Sequence, residues 1–172
     1  MNHTRPHDGK GKDDGKRRNQ TVFKWSAANA TALIKSVQSP ILTSQLINGT
    51  KKHYLIGYGH VGKDVRANKT INETQADFIL ERDLKRSVDC IKETIWKRNQ
   101  AVLTDFQNTA LVSFAQSVNC DLIEKFSKKV VLSDTTTANT YFINLIAKAD
   151  RNTTSDYLTA RRSAEKALFG IA

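Results

Sequence analysis

The sequence predicts an α+β fold in which a small N-terminal β-hairpin unit is joined by a long helix to a larger helical lobe. Three observations support this prediction. An Asn-Gly pair at positions 48 and 49 separates two short β-rich runs, which is a strong hairpin signal. After residue 70, apolar residues keep one helical face for about six turns. Further helical patterns continue to residue 169.

The first helix is predicted from Phe23 to just before Pro40, because apolar residues recur there at spacings of three and four and proline ends the run. The β unit follows. Its first apolar run begins at Ile41 and its second ends at Tyr58. We therefore expect a compact hairpin between the first helix and the long helix.

Two capping boxes mark the starts of the next helices. Thr70 with Glu73 is predicted to open the long amphipathic helix, which should end near Arg98. Thr104 with Gln107 is predicted to open a second helix. Two more helical stretches are expected, over residues 136–149 and 154–169.

The composition fits one domain with a charged extension. The chain has 172 residues, 39% of them apolar, and a formal net charge of +10. Residues 1–22 hold six cations and three acids with almost no apolar side chain, so we expect a flexible basic tail that suits an anionic partner. The remainder, residues 23–172, should form the folded domain.

Signals for export and for metal binding are missing from the sequence. No apolar run is long enough for a membrane span, and no signal peptide is recognisable at residue 1. The two cysteines, Cys90 and Cys120, have no zinc-ligand spacing, so no metal or cofactor is expected. We expect both to be buried thiols, and their pairing is left open. Asn-x-Thr triplets such as residues 48–50 are interpreted as turns, because no secretion signal accompanies them.

Several segments together resemble the bacteriophage-type lysozymes, glycoside hydrolase family 24, over roughly residues 27–169. The resemblance implies a muramidase fold that hydrolyses the glycan strands of peptidoglycan in a cleft between the β unit and the helical lobe. Each segment is weak alone, but their order and spacing agree with the family. The segments cover residues 33–35, 56–60, 71–76 with 83–84, 103–114 and 161–169.

The resemblance also implies a catalytic trio that this chain does not keep. The family glutamate that acts as general acid corresponds to Gln38. The family aspartate in the hairpin corresponds to about Ile47 or Asn48, and the family threonine corresponds to Leu55. We therefore predict that no catalytic position is intact.

No register shift recovers the missing glutamate, because the first glutamate in the chain is Glu73 and residues 15–63 contain no acid at all. Glycoside cleavage needs one carboxyl group to protonate the leaving oxygen and another to stabilise the oxocarbenium-like centre or to activate water. An amide cannot donate that proton, and leucine can do neither task. The ordinary activity of the family is therefore not expected.

Other family positions are retained. The resemblance implies a structural ion pair between His60 and Asp83, which should tie the β unit to the long helix. Arg161 matches an arginine that faces the family glutamate across the cleft floor. With Gln38 opposite, we expect Arg161 to be exposed to solvent, to pair with an acid such as Glu165, or to bind an anion.

Gln38, Tyr58 and Arg161 are therefore the candidate cleft or binding residues. Tyr58, Tyr54 and Trp25 either form sugar-stacking surfaces or belong to the core.

Three functions remain open at this point. The first is a lysozyme-fold pseudoenzyme of phage or prophage origin, in the host cytoplasm or the virion, that binds peptidoglycan or a phage or host protein. The second is a divergent active muramidase whose carboxylates come from elsewhere, for example from Asp64 or Glu73. The third is a nucleic-acid-binding protein that uses basic runs at residues 16–18 and 51–52, although no recognised motif accompanies them.

Overall fold

The computed structural model describes residues 26–47, 50–98, 103–130, 133–150 and 156–171. The predicted basic tail, Trp25 and the Asn-Gly pair at positions 48 and 49 lie outside the described residues. Within them, a small sheet and six α-helices, one of which continues into a π-helix, form the α+β architecture that the sequence predicts.

Helix α1 occupies residues 26–37 among those described, and ends before Pro40 as expected. Three antiparallel strands follow in the spatial order β1-β2-β3. The third strand was not predicted, since it is only two residues long. The strands are β1 Ile41–Leu46, β2 Tyr54–Gly57 and β3 His60–Val61.

The turn between β2 and β3 depends on two glycines. Gly57 and Gly59 have φ angles of +63° and +88°, a region that glycine enters without steric cost. This tight reversal pairs Ile56 with His60 across the two strands. It also leaves the Tyr58 carbonyl at the tip of the turn, where it accepts hydrogen bonds from the helical lobe.

The long helix begins two residues later than the sequence predicted. Asn72 is its N-cap, with Oδ1 accepting from the Gln75 N–H at 2.8 Å and the Gln75 side chain accepting from the Asn72 N–H at 2.9 Å. Thr70 instead forms an isolated β-bridge with Thr43. The predicted box of Thr70 with Glu73 is therefore wrong, because the sheet holds Thr70 outside the helix.

The long helix reaches the predicted end by a change of helix type. Helix α2 spans Glu73–Ile91 and continues as a π-helix over Lys92–Arg98. Ile91 and Ile95 are fully buried, so the apolar face persists through the change. The prediction of one helix ending near Arg98 is confirmed in extent.

The helical lobe contains four more helices around an aromatic core. The predicted box of Thr104 with Gln107 is confirmed as the start of α3. Helix α4 was not predicted, whereas α5 and α6 confirm the two predicted helical stretches within two residues at either end. The bounds are α3 Asp105–Gln116, α4 Cys120–Val130, α5 Thr135–Asp150 and α6 Asp156–Phe169.

Four phenylalanines from α3, α4, α5 and α6 form the centre of this lobe. Phe142 stacks on Phe169 with 4.2 Å between ring centroids, and its ring meets Phe114 edge-on at 5.6 Å. Phe126 contacts both Phe142 and Phe169. Buried aromatic pairs of this kind contribute about 0.5–1.5 kcal/mol beyond their buried area. This core fixes the position of α6, which carries Arg161.

The two cysteines are not the buried thiols that were expected from the sequence. Cys90 at the end of α2 and Cys120 at the start of α4 form a disulfide, with 5.9 Å between their Cα atoms. Cys120 is exposed and Cys90 is half-buried, so the prediction of buried thiols is wrong. The tertiary fold brings together two helix ends that are 30 residues apart in the chain.

None of the described helices combines the length and the apolar character that a transmembrane span requires.

Candidate functional site

A cleft of about 330 Å³ separates the β unit from the last two helices. Ile47 and Leu55 line it on the β side. Tyr157, Leu158 and Arg162 line it on the helical side, close to Asp150 at the end of α5. Leu55 and Ile47 therefore present apolar surface to this cleft. Leu55 is the position that the resemblance assigns to the family threonine, and Ile47 is the described one of the two alternatives for the family aspartate.

Gln38 follows α1 and is buried, and both ends of its side-chain amide are hydrogen-bonded. Its Nε2 donates to the Tyr157 carbonyl at 2.8 Å, and its Oε1 accepts from Arg161 Nη1 at 3.5 Å. Its backbone N–H donates to the Ile34 carbonyl, which holds the residue at the end of the helix. The amide thus connects the end of α1 to α6, at the position that the resemblance assigns to the family's general acid.

Tyr157 connects α6 to the β unit and to the segment that follows α1. Its hydroxyl contacts the carbonyls of Ser39 and Gly57, each at 3.0 Å. Burial raises the pKa of Tyr157 to about 12, even though the nearby Arg161 lowers it. The phenol therefore stays neutral and donates its proton to these carbonyls at any ordinary pH.

Arg161 lies at the centre of a buried polar cluster. Its Nε donates to Glu165 Oε1 at 3.1 Å and to Ser113 Oγ at 3.2 Å, and its Nη1 donates to the Tyr58 carbonyl at 3.3 Å. Nη2 donates to the Ser113 carbonyl. Burial lowers the pKa of the Arg161 guanidinium, and the Glu165 carboxylate partly offsets that effect.

Of the three outcomes expected for Arg161, the structure shows pairing with Glu165. The side chain has 0% exposure, so the expectation of a solvent-exposed guanidinium is wrong. Glu165 is equally buried and is the counter-ion of Arg161.

Arg162 belongs to the same cluster, since it binds the second carboxylate oxygen of Glu165, and it also lines the cleft. Its Nη1 donates to Glu165 Oε2 at 2.8 Å, and its Nη2 donates to Ser117 Oγ at 2.6 Å. Its Nε donates to Asp150 Oδ1 at 3.2 Å. The guanidinium carbon lies 4.6 Å from the centroid of the Phe114 ring. Asp150, the one carboxylate among the described residues that line the cleft, is therefore ion-paired.

His60 joins the β unit to α2 through Asp83, and it also contacts Asp64 in the segment that follows β3. Its Nδ1 lies 2.8 Å from Asp83 Oδ2, within the ion-pair distance expected from the sequence. Its Nε2 lies 3.1 Å from both carboxylate oxygens of Asp64. The hydrogen bond to Asp83 raises the pKa of the His60 imidazole, although burial opposes it.

A cavity of about 440 Å³ lies beside the His60–Asp83 pair. It shares four lining residues with the cleft: Gly59, Val61, Ser117 and Val118. Gln116 lines this cavity, and its Nε2 donates to Asp83 Oδ2 and to the Tyr58 carbonyl, both at 3.3 Å. The cleft therefore continues along the tip of the β unit.

Of the described aromatic residues considered for sugar stacking, Tyr58 lies in the core and Tyr54 lies at the surface. Tyr58 is 5% exposed and belongs to the hydrophobic core, so its ring is not a sugar-stacking surface. Tyr54 lines a second groove of about 560 Å³ on the β unit. Four exposed cations also line that groove: Lys51, Lys52, Lys63 and Arg66.

No carboxylate lies among the described residues that line this second groove, which we call the basic groove. It shares His53 and Val61 with the cleft, so the two surfaces adjoin.

Several residues of the site could not be identified from the sequence. Tyr157 and Asp150 carry no motif, and their roles depend on contacts that only the fold creates. Ser113 lies in a segment of the resemblance, but its contact with Arg161 was not predicted. Asp64 and Glu73, the acids considered as substitutes, do not line the cleft. Asp64 instead contacts His60, and Glu73 lies in the first turn of α2.

A small β unit, a long connecting helix and a helical lobe that together enclose a cleft define the lysozyme-like class of folds. The Phage lysozyme family model matches residues 42–165, and the chain belongs to that family.

Two curated relatives are endolysins of Bacillus phages. The endolysin of phage PZA is 35% identical over 106 residues, which cover 62% of this chain and 40% of the relative. The endolysin of phage B103 is 36% identical over 86 residues, which cover 50% of this chain and 31% of the relative. The matches thus span two fifths or less of these relatives' length.

Solved structures agree on the fold. The muramidase domain of SpmX from Asticaccaulis excentricus superimposes with a TM-score of 0.63 at 24% identity, covering 83% of this chain and 95% of that domain. A mutant of P22 lysozyme superimposes with a TM-score of 0.55 at 21% identity, covering 82% and 94%. At these identities the likeness establishes the lysozyme-like fold alone.

Proposed function

We propose that this domain is a lysozyme-fold pseudoenzyme that binds the glycan strands of peptidoglycan in the cleft without cleaving them. The observation that carries this proposal is Gln38. Both ends of its amide are engaged, by the Tyr157 carbonyl and by Arg161. An amide in this position can neither donate a proton to a leaving oxygen nor be ionised. General acid catalysis contributes about 10²–10⁴ to the rates of reactions that use it.

The other carboxylate that hydrolysis requires is not available in the cleft either. Ile47 and Leu55 provide apolar contacts, and Asp150 is ion-paired with Arg162. A single carboxylate cannot serve as both acid and base or nucleophile in the usual two-carboxylate mechanisms. A cleft with apolar walls and a few polar groups is still suited to binding a sugar strand.

Two measurements on the same protein test this proposal. The chain should co-sediment with purified peptidoglycan sacculi, and it should release no soluble glycan from them. Activity within about a hundredfold of a standard lysozyme would contradict the proposal. If that activity disappeared in Asp150→Asn, the divergent muramidase would be the better description.

The location of binding needs a matched pair of variants. Leu55→Trp fills the cleft, whereas Leu42→Trp places the same side chain at an exposed position of β1 that does not line it. We expect co-sedimentation to weaken at least tenfold in Leu55→Trp alone. Equal binding by both variants would show that the cleft is not the binding surface.

A reversion experiment asks whether only the chemistry has been lost. The triple variant Gln38→Glu, Ile47→Asp and Leu55→Thr restores the family side chains at the corresponding positions. Recovered hydrolysis would support a surviving glycan cleft, and continued inactivity with retained folding would favour a cleft rebuilt for another partner, such as a phage or host protein.

The basic groove supports a second candidate function, the binding of an anionic polymer such as nucleic acid. Its four cations adjoin the cleft without a carboxylate among the described lining residues. If all four contact phosphates of a single strand, affinity should fall about 50-fold between 50 and 200 mM salt.

A charge-matched comparison tests the groove. Replacing Lys51, Lys52, Lys63 and Arg66 with Gln should abolish oligonucleotide binding. The control replaces four exposed lysines of the helices, Lys85, Lys125, Lys148 and Lys166, and removes the same charge. Equal losses in both variants would show that net charge, not the groove, causes the binding.

A further inference from the structure

The chain contains seven Asn-x-Thr triplets, none with proline at the central position. Chance predicts fewer: with 12 Asn and 28 Ser or Thr among 172 residues, about two triplets ending in either hydroxyl residue are expected. Asn-x-Thr is the acceptor sequence for asparagine-linked glycans in secreted proteins. The seven triplets begin at Asn2, Asn19, Asn29, Asn48, Asn68, Asn72 and Asn152.

Two of the triplets have an accessible asparagine in the structure. Asn68 is exposed and has a φ of +59°, a left-handed turn conformation that asparagine tolerates. Asn72 is exposed at the N-cap of α2, where its Oδ1 accepts the cap hydrogen bond. A glycan is attached through Nδ2, so modification of Asn72 would leave this cap bond in place.

The disulfide is an independent observation that points to an oxidising environment. Cys90 and Cys120 are the only cysteines in the chain, and they are bonded to each other. Disulfides form and persist in oxidising compartments and are rare in the reducing cytosol. The expected cytoplasmic location is therefore disfavoured. The interpretation of the triplets as turns assumed that the chain is not secreted, and the disulfide removes that assumption.

We infer that this chain is a glycoprotein of an oxidising secretory compartment and carries asparagine-linked glycans on Asn68 and Asn72. The co-reactant is an oligosaccharide linked to a polyprenyl pyrophosphate. The amide nitrogen forms a bond to the anomeric carbon of the first sugar and loses one proton. The bond between that carbon and the pyrophosphate oxygen breaks, and polyprenyl pyrophosphate leaves with the electron pair.

Neither asparagine lines the cleft. Both lie in the segment between β3 and the start of α2, so glycans there would leave the cleft lining unmodified. The glycosylation and the glycan-strand binding proposed above can therefore succeed or fail independently.

The test is secretion of the full chain from a eukaryotic cell line behind a cleavable signal peptide. Peptide-N-glycanase converts glycosylated Asn to Asp, and peptide mass mapping then identifies the sites. We expect Asp at positions 68 and 72, and a Cys90–Cys120 bond in the non-reduced digest. Asn119 is the matched control, because it is exposed and its Oδ1 accepts from the Leu122 N–H much as Asn72 caps α2, but no Thr follows two residues later. It should remain unmodified.

Substitutions of the threonine separate sequence recognition from local folding. Thr74→Ala should remove one glycan from the intact mass, whereas Thr74→Ser should keep it. Thr70→Ala should have the same effect for Asn68. Unmodified Asn68 and Asn72 in the secreted protein, or a secreted protein with free thiols, would overturn the inference.

Discussion

Arg161 and Glu165 form an ion pair in which both side chains have 0% exposure, with 3.1 Å between Nε and Oε1. They lie one helical turn apart on α6, so the counter-ion comes from the helix that carries the arginine. The charge of Arg161 is therefore paired although its neighbour at position 38 is Gln38, a neutral amide.

Arg161→Met should destabilise the fold by about 3–5 kcal/mol, because Glu165 loses one of its two cationic partners while it stays buried. Urea unfolding measures this loss. Lys166→Met, at an exposed position of the same helix, should change the free energy of unfolding by about 0.5 kcal/mol or less. Similar losses in the two variants would show that the buried pair contributes little.

Tyr157→Phe should cost about 1–2 kcal/mol, because the carbonyls of Ser39 and Gly57 lose a shared donor while the ring is kept. The matched control is Tyr141→Phe on α5, a half-buried tyrosine whose ring lies against Lys129. Thermal or urea unfolding compares the two. A larger loss in Tyr141→Phe would contradict the proposed connection between α6 and the β unit.

The contribution of His60 to stability should decrease as pH rises. Its pKa in the folded protein is raised above the ordinary value of about 6.5, so protonation favours the folded state. The stabilisation is complete below that ordinary value and is lost as pH rises through the raised pKa. The difference in unfolding free energy between the unmodified chain and His60→Gln should therefore be larger at about pH 6 than at about pH 8.5.

Asp83→Asn is a second variant for the same measurement, because it removes the carboxylate that contributes most to the raised pKa of His60. It should flatten the same pH dependence. An unchanged pH profile in both variants would show that another group titrates in this range.

Reduction of the Cys90–Cys120 disulfide should destabilise the protein by about 3–4 kcal/mol, the loop-closure value for a separation of 30 residues. Urea unfolding with and without dithiothreitol measures this effect. The double variant Cys90→Ser with Cys120→Ser should have the lower stability in both conditions. A reductant effect that persisted in this variant would have another origin.

The elements that local patterns describe were predicted well. The apolar face of α2 and the capping box of α3 depend on residues a few positions apart, so periodicity and side-chain type reveal them. The third strand was not predicted because it is only two residues long, whereas the shifted cap of α2 had a tertiary cause. Thr70 pairs with Thr43 across 27 positions, and no local pattern encodes that bridge.

The sequence by itself determined the family fold and the absence of an acid between residues 15 and 63. Only the tertiary structure decided which contacts stabilise the buried side chains of Gln38 and Arg161. Gln38 contacts Tyr157 and Arg161, which are 119 and 123 positions further along the chain. The sequence left several alternatives for Arg161, and the short distance to the buried Glu165 identifies the ion pair. The physical reason is that chain neighbours set helices and strands, whereas desolvation and hydrogen-bond partners depend on which distant segments pack together.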